Sequence, residues 1–428
     1  MILTQRKRTR RGGFTLVEVL VAAALTVLVM AILATAFQRG MSTFSHLKSV
    51  VTLSEQLRSA ESVIRRDLEA THLERETGEP VRVSDPSLNS QAWTAPNRGF
   101  FEVINTNTNS PTASAEFVDE GAEEGVRSYR VTGHSLAFTA KLPALNADSV
   151  FLGDTNNLAD WPALMDLSPG NNKSVSPWAE LYYFLMPQPG DARTPDVMRE
   201  DGTLESAGVP LFTLCRLQAL PTVSSRLIPT ATPLPNARTL RDSLPELSVS
   251  TYPTYNAPNG SPGIGRYFSN DPSTLTNWRN RMRYEWTTAP SGGNMPNSPG
   301  VSDAQRLDPS IRPIYKPAKT TKLLNYWVVP NVTAPADKLG TELLLPNVIS
   351  FQVRPQFGTA TSAAHMDELP AETGFNPAAA NYPRMWDTGV SSNRTAATVQ
   401  VLRGVQLKLR LWDTKNKMTR QMTISIDL

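Results

Sequence analysis

Glu18 stands at the head of an apolar run that continues without a charge from Val19 to Phe37. A lone carboxylate in hydrocarbon costs on the order of a few kcal/mol, so an acid in this position calls for a cationic partner. Other residues able to do chemistry are sparse. The four histidines, His46, His72, His134 and His365, have no pair at the close spacing of a helical metal motif. The single Cys215 cannot close an intrachain disulfide. Asp154, Asn156 and Asp160 offer the oxygen ligands that calcium takes. The central glycine and closing glutamate of an EF-hand loop are missing there, so a solvated turn is the default and calcium the alternative.

Nucleotide and acyl chemistry find little support. The stretch Gly260 to Gly265 has the wrong glycine spacing for a dinucleotide turn, and no helical pattern follows it. Gly170-Asn-Asn-Lys-Ser174 lacks the glycine before lysine that a phosphate-cradling loop needs, and no G-x-S-x-G elbow occurs. Trp161, Trp178, Trp278, Trp286 and Trp327 fit core or rim packing as readily as a recognition surface. No catalytic constellation emerges, so the expectation is a protein that is not an enzyme.

The elements that must position Glu18 come next. The uncharged run has the length at which a helix crosses about 30 Å of hydrocarbon. Arg6, Lys7, Arg8, Arg10 and Arg11 precede it and predict a cytoplasmic N-terminus, with everything after Gln38 on the far side. Removing a leader that ends at Gly13 would change the net charge from +3 to about −2, which gives no bulk reason to expect a nucleic-acid surface. Such a cut would also make Phe14 the first residue and Glu18 the fifth. The new α-amino group at the membrane edge would then supply the missing positive charge, within one subunit or between neighbours.

Beyond the run, Val50, Leu53, Leu57, Ala60, Ile64 and Leu68 recur at helical spacing, with Glu55, Arg58, Glu61, Arg65 and Arg66 on the other faces. No proline interrupts 14–78, so one continuous helix of about 60 residues is expected. From Pro80 onward, short apolar stretches alternate with turn residues and predict strands joined by long loops. Expected strands are Gly99 to Ile104, Tyr129 to Val131, Ser135 to Leu142, Glu180 to Met186, Leu211 to Leu217 and Leu343 to Val353. A closing hairpin pairs Val405 to Leu411 with Met422 to Leu428 around the turn Asp413 to Lys417. Proline-rich and glycine-rich stretches between 221 and 312 suggest a loop-rich insertion. The fold class expected is therefore α+β: a transmembrane and amphipathic helix, then a mainly antiparallel β head with long loops.

Arg10-Arg11-Gly12-Gly13-Phe14-Thr15-Leu16-Val17-Glu18-Val19-Leu20 resembles the cleavage and methylation motif of type IV prepilins and type II secretion pseudopilins. The resemblance implies cleavage after Gly13 by a prepilin peptidase, N-methylation of Phe14, and a role for Glu18 in registering one subunit against the next. It divides the chain into a leader (1–13), a transmembrane and filament-core helix (14–38), an amphipathic continuation (39–78) and a periplasmic pilin-like head (79–428). The stretches 344–353 and 402–407 also resemble late strands of J-class minor pseudopilins and minor pilins, though apolar alternation of this kind is common. Partners implied are the peptidase, other pseudopilin or minor pilin subunits and an inner-membrane assembly platform.

The expected function is a minor pseudopilin or pilin-like subunit that assembles through its N-terminal helix, at a filament tip, and supports protein secretion. A pilus-tip adhesin or ligand-binding minor pilin is the alternative. A Sec signal cut at Ala34-Thr35-Ala36, a twin-arginine signal from Arg10-Arg11, or an uncleaved anchor are competing readings of the N-terminus. The Sec and twin-arginine readings leave Glu18 without a purpose.

Overall fold

A computed structural model of the protein describes residues 15–85, 96–105, 116–117, 129–131, 134–145, 149–154, 173–188, 197–198, 204–205, 211–222, 226–228, 247–252, 266–276, 280–281, 341–357, 384–388, 402–414 and 418–428. The described chain is one long apolar N-terminal helix followed by a mostly antiparallel β domain, an α+β arrangement like that of pilins. The chain forms two compact units, Met1–Glu55 and Gln56–Leu428.

Helix α1 runs Leu16–Leu68. In the first unit its large apolar side chains from Leu16 through Leu47, and Val51, are exposed, while Val50 and Leu53 are half-buried. A stretch of it is long and apolar enough to cross a membrane, and none of that stretch is buried in the protein. In the second unit Leu57, Ala60, Ile64 and Leu68 are buried at the predicted three-and-four spacing. Glu61 and Arg65 pair across one turn at 2.8 Å.

The helix stops at Leu68, short of the expected 78. The reason is local: the His72 ring reaches the Leu68 carbonyl at 2.9 Å, and Thr71 bridges to Lys141 instead of continuing the helix. Leu73–Glu74 then forms a short hairpin with Pro80–Val81.

The main sheet has strands β1 (Phe101–Asn105), β2 (His134–Lys141), β3 (Trp178–Pro187), β4 (Phe212–Ala219), β5 (Thr341–Phe357), β6 (Arg384–Asp387), β7 (Leu402–Asp413) and β8 (Met418–Asp427). Their order is β6-β1-β2-β3-β4-β5-β7-β8, and every pairing is antiparallel. All six expected strands and the closing hairpin are present, within a few residues at their ends. Asn347, at φ 57, follows Pro346 and marks a register shift after Val348. Proline has no N–H for a ladder, and asparagine tolerates positive φ. The irregularity lets β5 exchange neighbours: β4 lies beside its first half, and Val131 and His134 meet that side farther on. There Phe351 N–H donates to the Val131 carbonyl at 2.8 Å and Val353 N–H to His134 Nδ1 at 3.0 Å.

Within 221–312 the described residues are not all loop. Arg226–Ile228, Val249–Tyr252 and Arg266–Ser269 make a separate antiparallel three-stranded sheet. Also described there are 221–222, 247–248, a 3-10 turn at Thr274–Thr276 with its flanking residues, and 280–281; the rest of the stretch lies outside the described residues.

Candidate assembly site at the helix terminus

Thr15 and Glu18 lock each other at the first turn of α1. Glu18 N–H donates to Thr15 Oγ1 at 3.2 Å, while Thr15 N–H and its hydroxyl donate to Glu18 Oε2 at 3.0 and 3.1 Å. This reciprocal capping box satisfies backbone donors that an isolated helix start leaves unpaired. The carboxylate also lies at the positive end of the helix dipole. Glu18 therefore has a purely local reason to occupy its position. Both Thr15 bonds go to Oε2, and among the described residues no donor meets Oε1.

A match to the prokaryotic N-terminal methylation motif spans residues 8–34, covering this turn and most of the uncharged run. The chain carries a prepilin-type N-terminus. This motif is the hallmark of type IV prepilin-like proteins, which are structural subunits processed by a prepilin peptidase and assembled with other pilin subunits. One apolar N-terminal helix fits a single-pass membrane anchor. No curated protein and no solved structure matches the chain.

The far end of α1 is fastened to the sheet by ions. Asp67, fully buried, accepts from Arg216 Nε at 2.5 Å and from the Tyr183 hydroxyl at 2.7 Å on one oxygen. Its other oxygen accepts from Arg66 at 3.0 Å. Tyr183 and Arg216 are cross-strand neighbours on β3 and β4, so one carboxylate holds two strands at once. Burial and then Asp67 push the Tyr183 hydroxyl well above its ordinary pKa. Burial alone would lower Arg216, but Asp67, with Tyr183 and Glu342, more than offsets it and keeps the guanidinium firmly charged.

His72 completes the joint. Its Nδ1 lies 2.7 Å from the Thr139 carbonyl and its Nε2 2.9 Å from that of Leu68, between the edges of Phe101 and Phe138. Burial lowers its pKa from 6.5, against the raising influence of the two carbonyls and Asp67. The folded protein thus prefers neutral His72, and the unfolded chain binds its proton more readily. His72 should contribute stability fully above pH 6.5 and lose it as pH falls below that value. Thermal melts from pH 7.5 downward should show a steeper decline for the wild type than for His72→Gln; equal slopes would contradict the assignment.

Of the residues singled out in the sequence, Gly13 and Phe14 lie outside the described residues, and Glu18 lies within them. Asn156 and Asp160 are also outside. Asp154 ends the strand Phe151–Asp154, paired with Lys173–Ser176. Among the described residues no three His, Cys, Asp or Glu side chains converge as a metal site. Trp178 is buried, with Lys141 Nζ 5.6 Å from its ring centroid. The buried Cys215 thiol is pushed up to about 12 by burial and stays protonated. Sequence reasoning overlooked Thr15, although Thr15-x-x-Glu18 has the spacing of a capping box. It also overlooked Asp67, Tyr183 and Arg216, which nothing in the linear order links.

Proposed function

We propose that the chain is a minor pseudopilin or minor type IV pilin, held in the inner membrane with its N-terminus cytoplasmic and its head periplasmic. The five basic residues before the apolar run support that orientation. The observation that carries the reading is the coincidence of the methylation motif with a carboxylate at the head of a membrane-length helix. Prepilin peptidase cuts after Gly13 and Phe14 becomes the methylated first residue. The amine so created meets Glu18, whose Oε1 can accept it without breaking the bonds that Thr15 makes to Oε2. Registry between subunits follows when the amine of one approaches the carboxylate of the next, on an inner-membrane assembly platform. The J-like strands near the C-terminus favour a tip position in a filament that supports secretion.

Mass spectrometry of the membrane-extracted protein tests this. Gly13→Ala should retain the leader in full, while Glu18→Ala should lose it normally yet fail to enter filaments recovered by shearing. A Gly13→Ala protein that begins at residue 14, or a Glu18→Ala protein present in filaments at the wild-type level, would overturn the reading.

A further inference from the structure

Among the described residues the last strand has a neighbour on one side only. Leu428 N–H donates to the Arg403 carbonyl at 2.7 Å, and the register continues as Gly404↔Asp427, Val405↔Ile426 and onward to Asp413↔Met418 without a shift. Antiparallel pairs alternate between bonded and non-bonded, and residues of the non-bonded pairs aim their N–H and C=O away from the neighbour. In β8 these are Thr419, Gln421, Thr423, Ser425 and Asp427. Among the described residues no partner meets their outward backbone groups. Gln421, Thr423, Ser425 and Asp427 are exposed, and Thr419 is half-buried.

Natural edges are usually blunted by lysine, proline, a bulge or a short strand. β8 has none of these: it is Met-Thr-Arg-Gln-Met-Thr-Ile-Ser-Ile-Asp, unbroken and paired along its whole length. The opposite edge, β6, is only four residues long.

We propose that β8 docks on β8 of a second copy of this chain, antiparallel across a two-fold axis at Thr423. That register uses every outward residue and is self-complementary. Thr423 meets its own equivalent, Gln421 meets Ser425, and Thr419 meets Asp427, all polar pairs able to hydrogen-bond. On the other face Met422 meets Ile424 and Arg420 meets Ile426, extending the apolar side of the sheet. No like charges oppose. A two-fold interface of this kind is closed, so it yields a dimer of sheets and no open fibre.

Disulfide trapping of the full chain in detergent micelles tests the register, with the buried Cys215 of the wild type as the background. Thr423→Cys alone should give a crosslinked dimer on mild oxidation. Thr419→Cys alone should not, but mixed with Asp427→Cys it should. Chains that meet only through their apolar helices would crosslink all of these alike, and that result overturns the proposal. Gln421→Pro removes an outward N–H and leaves the β7 ladder intact, as edge strands tolerate. Added to Thr423→Cys it should abolish the dimer while the melting temperature holds. If that variant melts early, Ser425→Lys takes its place, since an edge lysine deters pairing. Dimer that persists with the edge blocked, or no dimer from Thr423→Cys, would likewise refute it.

Discussion

Asp67→Ala is expected to destabilise the β domain by about 3–5 kcal/mol, because it leaves Arg216 charged and buried without its buried counter-ion, the exposed Glu342 alone remaining. Arg216 is 1% exposed, and the rest of its bonding, to Gln218 and Glu342 at 3.1 Å each, involves only its Nη1. For a domain of this size the melting temperature should fall by on the order of 10 °C. Asp67→Asn separates charge from shape: the amide oxygen can still accept from Tyr183, but it brings no negative charge to the guanidinium. Its loss should be smaller than that of Asp67→Ala yet well beyond 1 kcal/mol. A melt unchanged in Asp67→Ala would show that the helix is fixed by its apolar stripe alone.

Arg281→Met should have an effect of similar size on the other face of the same sheet. Glu102 and Asp387 are adjacent in register on β1 and β6, and both are fully buried. Arg281 Nη1 donates to both, at 3.1 and 2.9 Å, its Nε donates to the Leu275 carbonyl at 3.0 Å, and its guanidinium stacks 3.9 Å from the Phe100 ring centroid. Methionine fills the volume but leaves two neighbouring buried carboxylates without that cation. A loss of about 3–5 kcal/mol is expected in urea denaturation. A midpoint within 0.5 kcal/mol of wild type would mean that Arg281 only covers the sheet. The same residue ties part of the 221–312 stretch to the main sheet, so this insertion is not a passive surface loop.

Much of this architecture was legible in the residues because it rests on local periodicity. The alternation through Val405, Leu407, Leu409 and Leu411 fixes one face of β7, and a slip of one position would expose them all. The helical stripe from Leu57 to Leu68 is equally plain. Helix termination was not, because no proline or glycine marks it. His72 ends α1 by reaching back to Leu68, and a histidine four positions past a leucine carries no such signal in advance. Gly99 was equally silent. At φ +82 it sits where a Cβ would fall 2.1 Å from the His72 carbonyl oxygen, so glycine is required there by a chain segment far away in sequence.

The candidate site divides in the same way. A carboxylate at the head of an apolar helix is conspicuous because its surroundings repel it, and Glu18 could be found from composition alone. Thr15 was hidden in plain view within the same turn. The Asp67 cluster joins positions separated by 116 and 149 residues, so only the folded chain reveals it. Charged residues on a stripe boundary ordinarily read as solvated, and here one of them is interior.

Asp67 belongs to the final turn of α1, which gives its bonds a mechanical meaning. Traction along the rod is resisted at this carboxylate, beyond the buried Leu57, Ala60 and Ile64. Sliding the rod by a single ångström or two would separate opposite charges in a medium of low permittivity, where attraction fades slowly and water cannot step in. The joint is therefore stiff toward small tugs and yields abruptly once solvent enters.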